Sequence, residues 1–180
     1  MLAEAAHIAT RDAVPILTCA GGPQVRMLDG RRAGLDESGL REWARAYVGA
    51  QGAPHVTRSY RYPYALVAWH GARVGIDIER IEPYDAAFAQ SICMPSETVD
   101  WASASNRDEY LSSMWSSKEA IAKALGDALS YDPRRLEAPM LWTGGQAGAW
   151  RSAQLPVVKD HVAWICWWAR GEGVGRLGGE

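Results

Sequence analysis

Two short segments about forty residues apart constrain this 180-residue chain more than any other feature. The first is Val74-Gly75-Ile76-Asp77-Ile78-Glu79, and the second is Trp115-Ser116-Ser117-Lys118-Glu119-Ala120-Ile121-Ala122-Lys123. In the first, Val74, Ile76 and Ile78 alternate with Gly75, Asp77 and Glu79. That is the period of a strand with one apolar face, so both carboxylates leave the other face together. Gly75 shares the acidic face and lets another backbone or a ligand come close. In the second segment Glu119 and Lys123 stand four residues apart, on one face of a helix. If strand and helix meet, three carboxylates converge with a lysine one turn from the third. Such a set suits a hard divalent cation shared with phosphate oxygens, as Mg²⁺ commonly is. The chemistry it points to is phosphoryl transfer.

Each half of this pattern has a plainer explanation when taken singly. Alternating acids on a strand are most often its solvent face. A Glu–Lys pair at this spacing is most often a surface pair contributing about 0.2–0.5 kcal/mol. Their joint occurrence, in order and at this separation, is what carries weight.

Composition removes other classes of function. With 48% apolar and 22% charged residues the chain is an ordinary globular one, sized for a single domain or two small lobes sharing a core. A net charge of −2 supplies no basic excess for nucleic acid. The longest apolar run, Val162 to Ala169, is too short to span a membrane. Met1 to Glu4 lacks the basic and apolar regions of a secretion signal. Cys19, Cys93 and Cys166 are scattered and form no CxxC, so neither a disulfide framework nor a zinc site is expected, and a reducing cytoplasm fits. Nine Trp against one Phe predict a tryptophan-rich core.

Periodicity predicts strands over Ala13 to Cys19, Gln24 to Leu28, Tyr64 to Trp69, Arg73 to Glu79 and His161 to Ala169. It predicts helices over Asp36 to Val48, stopped by Gly49, over Ala86 to Ile92, after Pro95, and over Arg107 to Leu125, stopped by Gly126. Gln51 to Thr57 reads as loop, Leu136 to Trp142 and Ala149 to Ala153 as a hairpin around Thr143 to Gln146, and Gly171 to Glu180 as a frayed tail.

The order and spacing of the two leading segments resemble the signature of the 4′-phosphopantetheinyl transferase superfamily. Ser59-Tyr60-Arg61, before the strand at Tyr64, resembles the family's Ser-His-Ser. Gly52-Ala53-Pro54 looks like a reduced form of its Gly-Lys-Pro loop, and Gly126-Asp127-Ala128-Leu129-Ser130 is similar to its Gly-x-Gly-Leu-Ser.

The resemblance implies an α+β fold of two related lobes, a pseudo-dimer. The first lobe would span about residues 1–70 in reduced form and the second about 71–170. It implies transfer of the phosphopantetheine arm of coenzyme A to a serine of an acyl or peptidyl carrier protein. Carried over residue by residue, Asp77, Glu79 and Glu119 would hold Mg²⁺. Glu119, or a metal-held water, would take the serine proton, and Lys123 would meet the charge of the departing phosphate. Ser59, Tyr60, Arg61, Pro54, Lys118 and Lys123 would contact coenzyme A. Lys118 points about 100° away from Glu119 on a helix and is either a phosphate contact or a solvated side chain.

Three departures temper this. Tyr60 replaces a histidine, and a phenol carries no positive charge at neutral pH. Ala53 replaces a lysine. The segment before Ser59 is shorter than in the surfactin-synthetase-activating type. Arg58 and Arg61 either compensate or are surface arginines. A shortened first lobe leaves room for self-association. The alternative is a relative that has lost the transfer and serves as a scaffold, or acts on another phosphate-containing ligand.

Overall fold

The computed structural model describes residues 13–18, 21–127 and 130–169. The expected end of the first strand at Cys19, the Ala128-Leu129 pair, the Met1 to Glu4 segment and the Gly171 to Glu180 tail lie outside them.

Two four-stranded antiparallel sheets follow each other along the chain. The first is built from β1 (Val14–Thr18), β2 (Gln24–Asp29), β3 (His55–Arg61) and β4 (Tyr64–His70), in the order β1-β2-β4-β3. Between β2 and β3 lies helix α1 (Glu37–Gly49), whose first turn is capped by Asp36, accepting from Gly39 N at 2.8 Å. The second sheet holds β5 (Val74–Arg80), β6 (Gln146–Ala147), β7 (Trp150–Gln154) and β8 (His161–Trp168), in the order β5-β8-β7-β6. Helices α2 (Ala86–Ile92), α3 (Pro95–Ser103) and α4 (Arg107–Leu125) intervene between β5 and β6. Helix α4 begins at an Asn106 cap and ends where Gly126 turns left-handed, with φ 93°.

Four apolar layers hold this together. Val25, Leu66 and Ala68 of the first sheet pack against Ile76, Ile78, Ala163 and Ile165 of the second. The far face of the first sheet is covered by α1 through Leu40, Trp43, Ala44 and Val48. The far face of the second is covered by α4, where Ala120, Ile121 and Ala124 meet Cys166. Helices α2 and α3 pack on α4 around Leu111 and Met114. The core is aliphatic. Of the tryptophans only Trp43 is buried, and Trp69, Trp115, Trp150, Trp164 and Trp167 rim the clusters half-buried, so the expected tryptophan-rich core is a tryptophan-rimmed one.

Strands β3 and β5 are the facing edges of the two sheets, and side chains join them. Ile76 N donates to Thr57 Oγ1 at 3.4 Å and Ile78 N to Ser59 Oγ at 3.2 Å. Two β3 hydroxyls thus take the place of ladder carbonyls, and the edges advance in the same direction. Sequence periodicity misses β3 and leaves Gln51 to Thr57 as loop. The strand His-Val-Thr-Arg-Ser-Tyr-Arg is polar because its partner across the seam needs hydroxyls rather than apolar side chains.

Two further expectations change. Leu136 to Trp142 is not a strand, because Pro133 and Pro139 open successive 3₁₀ turns along this stretch, and the Pro139 carbonyl accepts both Trp142 N at 3.2 Å and Ser152 Oγ at 3.0 Å. The hairpin is the shorter β6–β7 pair. Gly49 is the last residue of α1 rather than its stop, and Ala50 closes the helix in right-handed conformation.

Candidate active site

Gly75 sets the geometry. A Cβ there would overlap the Ala120 carbonyl oxygen and lie 2.5 Å from the Ala124 nitrogen. Only glycine lets the backbone of α4 lie directly on β5. At this spacing side chains of β5 reach those of α4. Lys123 Nζ donates to Asp77 Oδ1 at 2.6 Å, and further to the Ile76 carbonyl at 3.3 Å and Ser59 Oγ at 3.4 Å. Ser59 Oγ donates to the same Asp77 oxygen at 2.8 Å. One β5 residue, one α4 residue and one β3 residue therefore converge at the seam of the two sheets.

Glu79 is held separately. Its Oε2 accepts from Arg61 Nε at 2.5 Å, and its Oε1 from Trp115 Nε1 at 3.2 Å. Glu119 accepts from the Tyr131 hydroxyl at 2.9 Å. Each expected metal ligand thus has a donor of its own. Among the described residues no group of three or more His, Cys, Asp or Glu side chains is gathered closely enough to hold a metal ion, so the expected convergence of the three acids is not met in this arrangement.

The electrostatics nonetheless fit a cation. Burial, and then the charge of Asp77, push the Glu79 carboxyl up to about 7 even with Arg61 beside it. Burial and the same Asp77 charge raise Glu119, against the Tyr131 hydrogen bond. Asp77 Oδ2 is buried and has no hydrogen-bond partner. Glu79 and Glu119 both lie in the field of Asp77, which keeps an orphaned oxygen, and the three acids are hard oxygen donors of the kind a divalent cation takes, although they do not surround one point here.

Beside this cluster opens a cleft of about 550 Å³, lined by Arg45, Thr57, Arg58, Tyr60, Lys123 and Ser130 among others. Arg45 comes from α1 and is one residue that sequence reasoning misses. Tyr131 and the bond from Trp115 to Glu79 are two more. Trp115 is legible in hindsight, since it precedes Glu119 by one helical turn. Nothing local to Tyr131 announces that it reaches back to α4.

Of the expected coenzyme A contacts, Ser59, Arg61 and Lys123 lie in the cluster of acids, and Tyr60 and Lys123 line the cleft. The Arg41 guanidinium lies over the Tyr60 ring, 4.8 Å from its centre, so Tyr60 is near positive charge it does not itself carry. Pro54 is exposed just before β3 and does not line the cleft.

Lys118 is corrected. It is neither solvated nor available to a phosphate. Its side chain is 0% exposed, and its three N–H groups go to Glu97 Oε2 at 2.6 Å, the Ile92 carbonyl at 2.8 Å and the Pro133 carbonyl at 2.8 Å. Glu97 in turn accepts from Met94 N at 2.7 Å and Ala138 N at 2.9 Å. The pair ties α4 to the end of α2, the start of α3 and the 3₁₀ segment beyond α4.

A family model described as the 4′-phosphopantetheinyl transferase superfamily matches residues 73–166, which hold β5, α4 and most of the second sheet. The chain belongs to that superfamily. It is 37% identical over 111 residues to the 4′-phosphopantetheinyl transferase psf-1 of Bacillus pumilus, covering 61% of this chain and 44% of that protein. It is 27% identical over 119 residues to a 4′-phosphopantetheinyl transferase of Bacillus subtilis, covering 63% of this chain and 53% of that one. This phosphopantetheinyl transferase family member thus spans about half the length of those two relatives. The crystal structure of Thermotoga maritima holo-[acyl-carrier-protein] synthase matches it with a TM-score of 0.46 at 21% identity, over 55% of this chain and 64% of that chain.

Proposed function

We propose that this protein transfers the 4′-phosphopantetheine arm of coenzyme A to a serine of an acyl or peptidyl carrier protein, releasing 3′,5′-ADP. The observation that carries this is the Lys123–Asp77–Ser59 cluster, which joins the two lobes beside the basic cleft and lies within the family's motifs. Arg45, Arg58 and Lys123 line the cleft with cationic groups, and arginine's planar fork suits phosphate oxygens such as those of coenzyme A.

Asp77, Glu79 and Glu119 are the residues that would hold a divalent cation, which when bound would neutralise pyrophosphate charge. The remaining work falls to side chains of the chain itself. Glu119, whose proton affinity is raised by burial and by Asp77, takes the proton of the carrier serine. The serine oxygen bonds to the phosphorus on the pantetheine side. The bond from that phosphorus to the bridging oxygen breaks, and 3′,5′-ADP leaves with the electron pair. Lys123 stabilises the charge that grows on the leaving oxygen. Ser59 is buried and donates to Asp77, so it orients the carboxylate rather than reacting. Tyr131 orients Glu119 in the same way.

A second reading is supported by the separate donor that each acid already has. In it the protein binds a phosphate-containing ligand without transferring the arm. Intact-mass measurement of apo acyl and peptidyl carrier proteins, incubated with the protein, coenzyme A and MgCl₂, separates the two. A gain of one phosphopantetheine arm is expected. Coenzyme A binding without a mass gain on either carrier class would favour the second reading.

A further inference from the structure

Arg61 closes the Ser59-Tyr60-Arg61 segment and stands outside the two acidic motifs, Val74 to Glu79 and Trp115 to Lys123. It is the last residue of β3, in the first lobe, and it reaches across the seam to an acid of the second. Its Nε donates to Glu79 Oε2 at 2.5 Å, and a second guanidinium nitrogen meets the same oxygen. Trp115 occupies the other oxygen. Both Glu79 oxygens therefore have hydrogen-bond donors from the chain itself, one of them a cation. Asp77, two residues earlier on the same face, contrasts with it, because its Oδ2 is buried and has no partner.

A guanidinium does not lose its charge, so it leaves Glu79 only by moving. It has room to move, since 49% of the Arg61 side chain is exposed, whereas Lys118 is sealed in. The same positive charge that steadies Glu79 repels a cation arriving beside it.

We propose that Arg61 is a built-in counter-cation that competes with the divalent metal for Glu79 and so sets the metal affinity of the site. This rests on the proposed function in taking Asp77, Glu79 and Glu119 as the metal-binding set. Arg61 is then a positioning residue for Glu79, and the first lobe controls the metal through it.

The test is a MgCl₂ titration followed by melting temperature, since a ligand that binds the folded state raises it. Wild type, Arg61→Ala, Arg61→Lys, Glu79→Gln and the Arg61→Ala/Glu79→Gln double variant are compared. Half-exposed ion pairs are weak, so Arg61→Ala is expected to lower the Mg²⁺ concentration at half-maximal stabilisation by roughly three- to tenfold. Arg61→Lys, which keeps the charge and loses the fork, falls between. The gain disappears in the double variant, because there is then no Glu79 carboxylate to release. An unchanged or raised midpoint in Arg61→Ala overturns the proposal. So does a gain that persists in the double variant, which would make it a general field effect. Absence of any Mg²⁺ response also overturns it. Carrier modification by the wild type is measured in parallel. If the arm is transferred and Arg61→Ala binds Mg²⁺ no more tightly, this inference fails alone. If no arm is transferred and no protein responds to Mg²⁺, the proposed function fails with it.

Discussion

Helix α1 rests on the first sheet through side chains. Leu40, Trp43, Ala44 and Val48 fill the space above Leu28, Ala65 and Val67, and the layer between helix and sheet is apolar. Helix α4 rests on the second sheet by its backbone, which passes over Gly75 with no space for a Cβ. That difference in approach decides what each lobe can do. Above the first sheet the helix packs through apolar side chains. Above the second it is near enough for Lys123 to meet Asp77 at 2.6 Å and for Trp115 to meet Glu79 at 3.2 Å. The first sheet still takes part, chiefly through its edge. Strand β3 lends Ser59 and Arg61 to acids of β5 and Arg58 to the cleft, and α1 adds Arg45 to the cleft. The two sheets, each backed by a helix, contribute unequally. The second carries the acids, the lysine, and the Trp115 and Tyr131 donors, and the first adds Ser59 and Arg61 across the seam.

If α4 is held where it is by the Lys118–Glu97 pair, removing one partner should cost far more than a surface change. Lys118→Met should destabilise the fold by about 3–5 kcal/mol, because Glu97 is left buried without its cation. Denaturant unfolding measures this, and a loss under about 1 kcal/mol would show that α4 is anchored otherwise. Replacing Glu97 with Leu in the same protein should recover much of the loss. Next in size is Gly75→Ala. The added methyl meets helix backbone rather than a flexible side chain, so a loss of roughly 1–3 kcal/mol is expected, with carrier modification falling too. Unchanged stability and activity would mean that the close approach of α4 to β5 is dispensable. The smallest effect sharpens the contrast from the other side. Gly49 ends α1 outside the left-handed region, and a Cβ there meets nothing within 4 Å. Gly49→Ala should therefore stabilise the protein by about 0.4–1 kcal/mol. A glycine-to-alanine change of opposite sign on the two helical layers is the signature of their different packing.

Much of this was legible in the sequence. Arg107 to Leu125 is found to the residue because its signals are local: Asn106 caps it, Gly126 turns left-handed after it, and Leu111 and Met114 mark its buried side. The facing of β5 and α4 is legible through Gly75, whose missing side chain announces a close neighbour. What the sequence hid is non-local. Strand β3 has no apolar alternation, because Thr57 and Ser59 serve amides nineteen residues away. Lys118 looks like any helix lysine until Glu97, twenty-one residues earlier, is found to close the ion pair while also bonding the start of α3. Arg61 looks like one more surface arginine until β3 and β5 are set side by side. Prolines 133 and 139 were visible, but an apolar stretch containing one of them still invites a strand.

The central claim is that the chemistry sits where Lys123 meets Asp77 at the seam. The turnover number of carrier modification by Lys123→Ala, set against its dissociation constant for coenzyme A, tests this most directly. On the proposed mechanism Lys123 stabilises charge that develops during transfer, so turnover should fall by roughly 10²-fold or more while coenzyme A binding changes much less. A Lys123→Ala protein that transfers the arm as fast as the wild type would contradict the account.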